Sequence, residues 1–330
     1  MKKKHTARPE KRRSSKGSKS KYRIRNWAEY NRSLKQRGSL TLWVENEALD
    51  QWTNPAQTGK PGRPTLYHDL AILTALTLAA VFGLKLRQTA GFLVSLFRIM
   101  KIEQPVPDSS TLCRRRKKLK VPLRVAKRSK DEPIHVVVDS TGLKIYGEGE
   151  WKVRQHGYSK RRTWRKLHLA VDEKTGEILS EELTENGVHD GDMALPLVDQ
   201  IEDEISQFSG DGAYDSHAIH DELEQRGIET TIPPRRGSRT RRHGNCKGKK
   251  GRRDKIVRRI RKVGRKRWKE ESGYHRRSLS ETAMFRIKTI FGDHLSARKL
   301  ENQRVEAALR CRALNRMTNQ GMPDSYKVAA

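Results

Sequence analysis

The spacing of apolar residues changes along the chain. Residues 70 to 84 read LAILTALTLAAVFGL, fifteen residues with two threonines and no charge. A membrane span needs about 20 apolar residues, so this run predicts a buried helix. A break is expected near Gly83, after which RQTAGFLVSLFRIM returns to helical spacing, so 67–101 read as helices. From about 131 the period shortens. IHVVVDSTGLKIYG is a β-branched run followed by a turn, and RKLHLAVDEKTGEILSEELTE is two strands joined at Lys174, Thr175 and Gly176. DMALPLVDQIE has helical spacing, QFSGDGAYD is a short strand meeting a loop, SHAIHDELEQRG is an amphipathic helix closed by Gly227, and IETTIPP is another strand. Helices resume at 278 and at ENQRVEAALRCRALNRM. Three antiparallel-looking strands, then alternating helix and strand, then terminal helices predict a mixed α/β domain.

Charge adds a second layer. The 330 residues carry 71 Lys and Arg against 39 Asp and Glu, a formal net charge of +32. A field of this sign implies a polyanionic partner, and nucleic acid fits best. No basic amphipathic helix with a strong apolar face stands out, so a membrane partner is not expected. Aromatics are 6% of the chain and no RNP pattern is present, which argues against RNA read by base stacking. Residues 1–21 read as a disordered basic tail. Residues 22–128 read as a helical region: one or two helices before Trp52, a Pro/Gly loop at 53–65, the apolar helices, and a basic helix starting at Pro107, Asp108 and Ser109. Helix, turn and a second helix bearing Arg114, Arg115 and Arg116 predict a helix-turn-helix-like unit with its cations on DNA phosphates. The other reading of this helix is a basic connector on the surface. Residues 129–330 form the mixed domain, interrupted at about 235–272 by an insert with 19 Lys or Arg and 3 acids. Cys113, Cys246 and Cys311 are far apart in sequence, and Cys246 with the nearby His243 does not make a metal site. The basic start MKKKHTARPEKRR has no apolar stretch behind it and is not expected to be a secretory signal. A cytoplasmic, nucleoid-associated protein with free thiols is expected.

The carboxylates are the candidate chemistry. Asp139 follows the run VVV, where a strand would deliver it to the sheet's rim beside the small Ser140, Thr141 and Gly142. It reads as a metal ligand or as the cap of a turn. Asp211 lies between Gly210 and Gly212, where backbone and ligand can approach closely. Asp215 is its competitor and reads as the cap of a helix starting near Ser216. His189, Asp190 and Asp192 read as a helix cap. Glu281 is a lone acid among cations. On one helical wheel Tyr274, Arg277, Glu281 and Lys288 share a face about 60° wide, which suits an acid binding a cation while bases hold a phosphodiester. Ser278 and Glu281 also fit a capping box, which would place Tyr274 and Arg277 ahead of the helix.

The series Y-x2-R-x3-E-x6-K, here Tyr274, Arg277, Glu281 and Lys288, resembles the signature of DDE transposases of the IS4 and IS5 insertion-sequence families. VVVDSTGLK and GDGAYD resemble the two aspartate motifs of the IS5 family, and the gaps of 72 and 70 residues between Asp139, Asp211 and Glu281 are similar to that family. The resemblance covers about 131–318 and implies an RNase H-like core, a mixed five-strand sheet flanked by helices. It places Asp139 on the first strand, Asp211 just after the fourth, and Glu281 on a late helix. It implies that these three carboxylates are catalytic and bind metal, two Mg²⁺ or Mn²⁺ ions. It assigns Tyr274, Arg277 and Lys288 to the transposon end. The implied activity is cleavage at terminal inverted repeats and strand transfer into target DNA, by a homodimer or larger assembly on paired ends. A metal-dependent nuclease without strand transfer and a non-catalytic DNA-binding repressor are the alternatives.

Overall fold

The computed structural model describes residues 22–53, 66–126, 132–146, 163–241 and 251–328. The basic tail, nearly all of the Pro/Gly loop, and the pair Cys246 and His243 lie outside the described residues. In chain order the elements are β1 (Tyr22–Ile24), α1 (Trp27–Gln36), α2 (Leu40–Trp43), α3 (Asn46–Asp50), α4 (Asp69–Val81), α5 (Leu86–Ile99), α6 (Ser109–Arg116), β2 (Ile134–Tyr146), β3 (Thr163–Asp172), β4 (Ile178–Glu185), α7 (Ala194–Asp199), β5 (Ile205–Ser209), α8 (His217–Gln225), β6 (Glu229–Thr231), α9 (Arg252–Val263), α10 (Arg265–Glu271), α11 (Ser278–Phe291), α12 (Leu300–Asn319) and β7 (Ser325–Lys327).

The apolar run forms α4, in which Ala71 to Ala79 are all buried. A helix that is apolar all round belongs in a core. Among the described residues no single helix is long and apolar enough to cross a membrane. Around α4 pack Trp43, Trp52, Leu93, Phe97 and Leu112, joined by Val305, Leu309, Ala313 and Met317 from α12. The helical region therefore shares its core with the far end of the chain. β1 pairs antiparallel with β7, adding a second link between the two ends.

The expected mixed five-strand sheet is present, in the order β4-β3-β2-β5-β6. β2, β3 and β4 are antiparallel, while β5 and β6 run parallel to β2. One face carries Val136, Val138, Ala170 and Phe208 beneath Ala194, Leu197, Ile219 and Leu223 of α7 and α8. The other carries Leu143, Leu167, Leu169 and Val171 beneath Ala283, Met284 and Ile287 of α11 and Cys311 and Leu314 of α12. This helix-sheet-helix sandwich is the RNase H-like arrangement the resemblance implies. Asn315 of α12 holds the outer strand through both sides of its amide: Ile178 N donates to Oδ1 at 2.8 Å, and Nδ2 donates to Ile178 O at 2.7 Å.

Under α12 the sheet holds a half-buried acid with one shielded oxygen. Glu181 pairs in register with Leu169, and its Oε2 is shielded without a hydrogen-bond partner. Burial, with Glu182 adding to it, pushes its carboxyl up to about 8. Between the ordinary carboxylate range and pH 8 the folded chain therefore keeps a proton that the unfolded chain loses. This contribution to stability is complete at low pH and is lost as pH rises to about 8. Half-buried His135 and buried His168, held down to about 4, act in the opposite sense below pH 6.5. The clean window is therefore pH 6.5 to 8. There the Glu181→Gln protein should lack a stability slope of up to about 1.4 kcal/mol per pH unit that wild type shows. Urea midpoints across that window measure it, and parallel curves would refute it.

Candidate active site

β2 does not end at Asp139. Its pairing with β3 runs from Val136 to Lys144, with Asp139 opposite Leu169. The turn expected at Ser140 to Gly142 is absent, and with it the cap reading of Asp139. Pairing with His168, Leu167 and Lys166 keeps these small residues in the strand, and a Cβ on Gly142 would lie 3.1 Å from the indole of Trp164. The parallel neighbour stops first. β5 pairs with β2 only as far as Ser209 opposite Val137. Asp211 follows two residues later, where the chain leaves the sheet, near enough for its charge to act on Asp139. Ligands enter open α/β sheets at such strand ends.

Asp211 opens a short 3-10 turn at Gly212–Tyr214, and its Oδ1 accepts from Ala213 N at 2.8 Å. Gly210 is required by close approach: a Cβ there would meet the Tyr214 ring at 2.8 Å. That ring is buried against Phe208, and its hydroxyl has no hydrogen-bond partner. Burial raises the pKa of Tyr214, and the charges of Asp190, Asp139 and Asp211 raise it further, so the phenol stays protonated.

Glu281 stands in the first turn of α11 with 56% of its side chain exposed. Residues Tyr274–Arg277 form a 3-10 turn that runs straight into α11, so Ser278 is already helical and the capping box is not formed. A single α-helical wheel therefore does not extend back to Tyr274. Direct contacts join the group instead. Arg277 Nη1 donates to Asp139 Oδ2 at 2.7 Å, and Nη2 donates to Glu281 Oε1. The Arg277 guanidinium also lies 5.9 Å from the Tyr274 ring centre, with Lys269 Nζ at 4.7 Å from that ring. Lys288 follows Glu281 by two turns on the same face of α11, about 10 Å along its axis.

Burial raises the pKa of Asp139, and Asp211 and Glu281 add to it against the opposing Ser140 N–H and Arg277. Burial works against the Arg277 charge, but Asp139, Tyr274, Glu281 and Asp211 outweigh it and raise its pKa. Among the described residues no three acidic, histidine or cysteine side chains stand close enough to hold one ion. The Arg277 guanidinium is bonded to both Asp139 and Glu281. The donor set is all carboxylate oxygen, the ligand type that suits a hard divalent ion.

Asp215 does not cap α8, whose N-cap is Ser216 without a side-chain bond. It is 1% exposed and receives Arg253 in a two-point ion pair, Nε to Oδ1 at 2.7 Å and Nη2 to Oδ2 at 2.8 Å. Burial disfavours its charge, but the His220 and Arg253 side chains and Arg235 N–H outweigh that and hold the carboxyl well below the usual range. His189 Nδ1 accepts from Gly191 N and caps the 3-10 turn at 190–193, while Asp190 pairs with Lys166 at 3.1 Å.

On α6 the three arginines separate. Arg115 donates to Tyr67 O and Asp69 at the start of α4, and Arg116 pairs with Glu306 of α12 at 3.1 Å. Arg114 is exposed and forms no ion pair among the described residues. Asp108 caps the helix through Ser110 N at 2.7 Å. An extended stretch, 102–107, separates α5 from that cap, longer than the three or four residues of a helix-turn-helix turn. The Arg277 bridge, the Asp215–Arg253 pair and Tyr214 were not anticipated. No local spacing signals a pair 38 residues apart.

Residues 130–316 match a family described as "Transposase DDE domain", and residues 35–148 match a second family of the same description. The structure is also similar to one described as "Cryo-EM structure of piggyBac transposase synaptic complex with hairpin DNA (SNHP)". The likeness has 11% identity and a TM-score of 0.36, and covers 87% of this chain and 76% of that one.

Proposed function

The chain belongs to the family of DDE-domain transposases, and from that premise we propose that it is an IS5-type enzyme acting at the terminal inverted repeats of an insertion sequence. DDE transposases depend on divalent metal to cut DNA strands and transfer them. The observation that carries the reading is the convergence of Asp139 from β2 and Glu281 from α11 on one guanidinium, with the Asp211 charge acting on Asp139 from just beyond β5.

In this reading Asp139, Asp211 and Glu281 would hold two Mg²⁺ or Mn²⁺ ions. When bound, the ions supply Lewis-acid activation and neutralise charge at the phosphodiester. The chain's own residues do the rest. Arg277 exchanges its carboxylate partners for a phosphate of the transposon end. Tyr274 holds the guanidinium's flank, and Lys288 meets the backbone further along α11. Water attacks the scissile phosphorus and frees a 3′-OH. That 3′-OH then attacks target DNA in line, with a 3′ oxygen leaving each time. No covalent bond to the protein forms. Sequence recognition of the ends belongs to 22–128, with Arg114 free to reach phosphate. The protein works as a homodimer or larger assembly on paired ends and resides with the nucleoid.

The test uses duplexes carrying the inverted repeats that flank the coding region, with a supercoiled plasmid as target. Mg²⁺ should yield strand breaks at the repeat boundary with 3′-OH ends, then products joined to plasmid. Breaks without joining would leave a nuclease. Binding without breaks would leave a repressor.

A further inference from the structure

The insert between Asp211 and Glu281 has a definite shape. Helices α9 and α10 form a hairpin turning at Gly264, whose φ of +84° favours glycine. The hairpin is clasped by Arg259, which donates Nη2 and Nε to Glu271 at 2.8 and 3.0 Å. Its inner side buries Ile256, Val257 and Trp268. Arg252 pairs with Glu229 of β6, and Lys255 with Glu224 of α8. Covering the outer strand of the sheet accounts for that side.

It does not account for the other side. Arg261, Lys262 and Lys266 are exposed and form no ion pair with an acid among the described residues. Arg261 spends one donor on Ser238 O and keeps its charge. Exposed cations without acidic partners cost self-repulsion and give the core nothing in return. Both ends of the hairpin lead to the carboxylates. At one end Asp215, four residues after Asp211, grips Arg253 on the buried side of α9. At the other end Trp268 packs 6.2 Å from Tyr274, next to Arg277.

We infer that the α9–α10 hairpin is a clamp for the backbone of double-stranded DNA, kept in register with the metal-binding acids by the Asp215–Arg253 pair. Arg261, Lys262 and Lys266 face phosphates, and Asp215 is a positioning residue. The inference rests on the transposase reading for the identity of the polyanion, but its test needs no cleavage.

The full chain is titrated with a fluorescent duplex of arbitrary sequence over a range of salt concentrations. Each phosphate contact adds about 0.9 to the slope of log affinity against log salt. Arg261→Gln, Lys262→Gln and Lys266→Gln together should lower that slope by about 2 to 3 with the melting temperature unchanged. Asp215→Asn should also lower it, whereas a role in folding alone would leave the slope of the folded fraction intact. An unchanged slope in the triple variant overturns the clamp, including when that surface binds an acidic protein instead. Wild-type protein that never cuts its ends would refute the transposase mechanism and leave this measurement readable.

Discussion

Alanine at Asp139, Asp211 or Glu281 should each abolish strand cleavage while leaving duplex affinity within about twofold of wild type. The expected rate loss exceeds about 1000-fold, the upper end of what one electrostatic contact to a transition state is worth. Affinity survives because the grip on DNA comes from cations: the charge is +32 before the change and +33 after it. Asp139→Ala carries a second signature. It removes the 2.7 Å partner of Arg277, leaving that guanidinium to Glu281 and to phosphate. Duplex binding should therefore tighten slightly in that variant and not in Asp211→Ala. Single-turnover cleavage beside a binding isotherm measures both quantities. Wild-type cutting from any one variant with Mg²⁺ present would remove that residue from the site.

Asp215→Asn should be the more damaging of two neighbouring changes for stability, and Asp211→Asn for chemistry. Asp215 is 1% exposed and is the acid opposite a nearly buried Arg253. Asparagine keeps the shape but leaves a buried guanidinium without its counter-charge, a loss of about 3 kcal/mol or more. Asp211 only accepts one hydrogen bond from Ala213 N, which asparagine also accepts, so Asp211→Asn should fold normally and fail to cut. Urea unfolding and cleavage of the two proteins, measured side by side, test the division. A fully stable Asp215→Asn protein would show that Arg253 finds its charge balance elsewhere.

The sheet was legible because its strands are β-branched and apolar runs and the turns around them carry recognisable residues, as at Gly176 and Gly227. The roles of single residues were less so. DSTG in β2 looks like a turn because small polar residues usually break strands. Here β3 pairs with them and Trp164 packs over Gly142, which no local pattern reveals. Asp215 looks like a cap because an amphipathic run follows it, and its partner is one of 19 cations in the insert. In the run Arg114, Arg115, Arg116 the three side chains are chemically alike. What separates them is helical phase against α4 and α12, a property of the assembled fold. The same holds for α12, whose Arg310 and Arg312 are buried by carbonyls and Glu306 rather than exposed as their chemistry would suggest.

The helical core closes only with Val305, Leu309, Ala313 and Met317 in place, and Val305 lies 193 residues beyond Leu112. A nascent chain leaves the ribosome from its first residue onward. The apolar faces of α4 and α5 must then wait, uncovered by α12, while the entire catalytic sheet is being made. The region proposed to read DNA ends cannot reach its final form ahead of the enzyme it serves. A polypeptide released early, before α12, would lack both that core and the helix that carries Asn315 to the edge of β4. Prematurely terminated products should therefore be substrates for chaperones and proteases rather than stable DNA-binding fragments competing for the same ends.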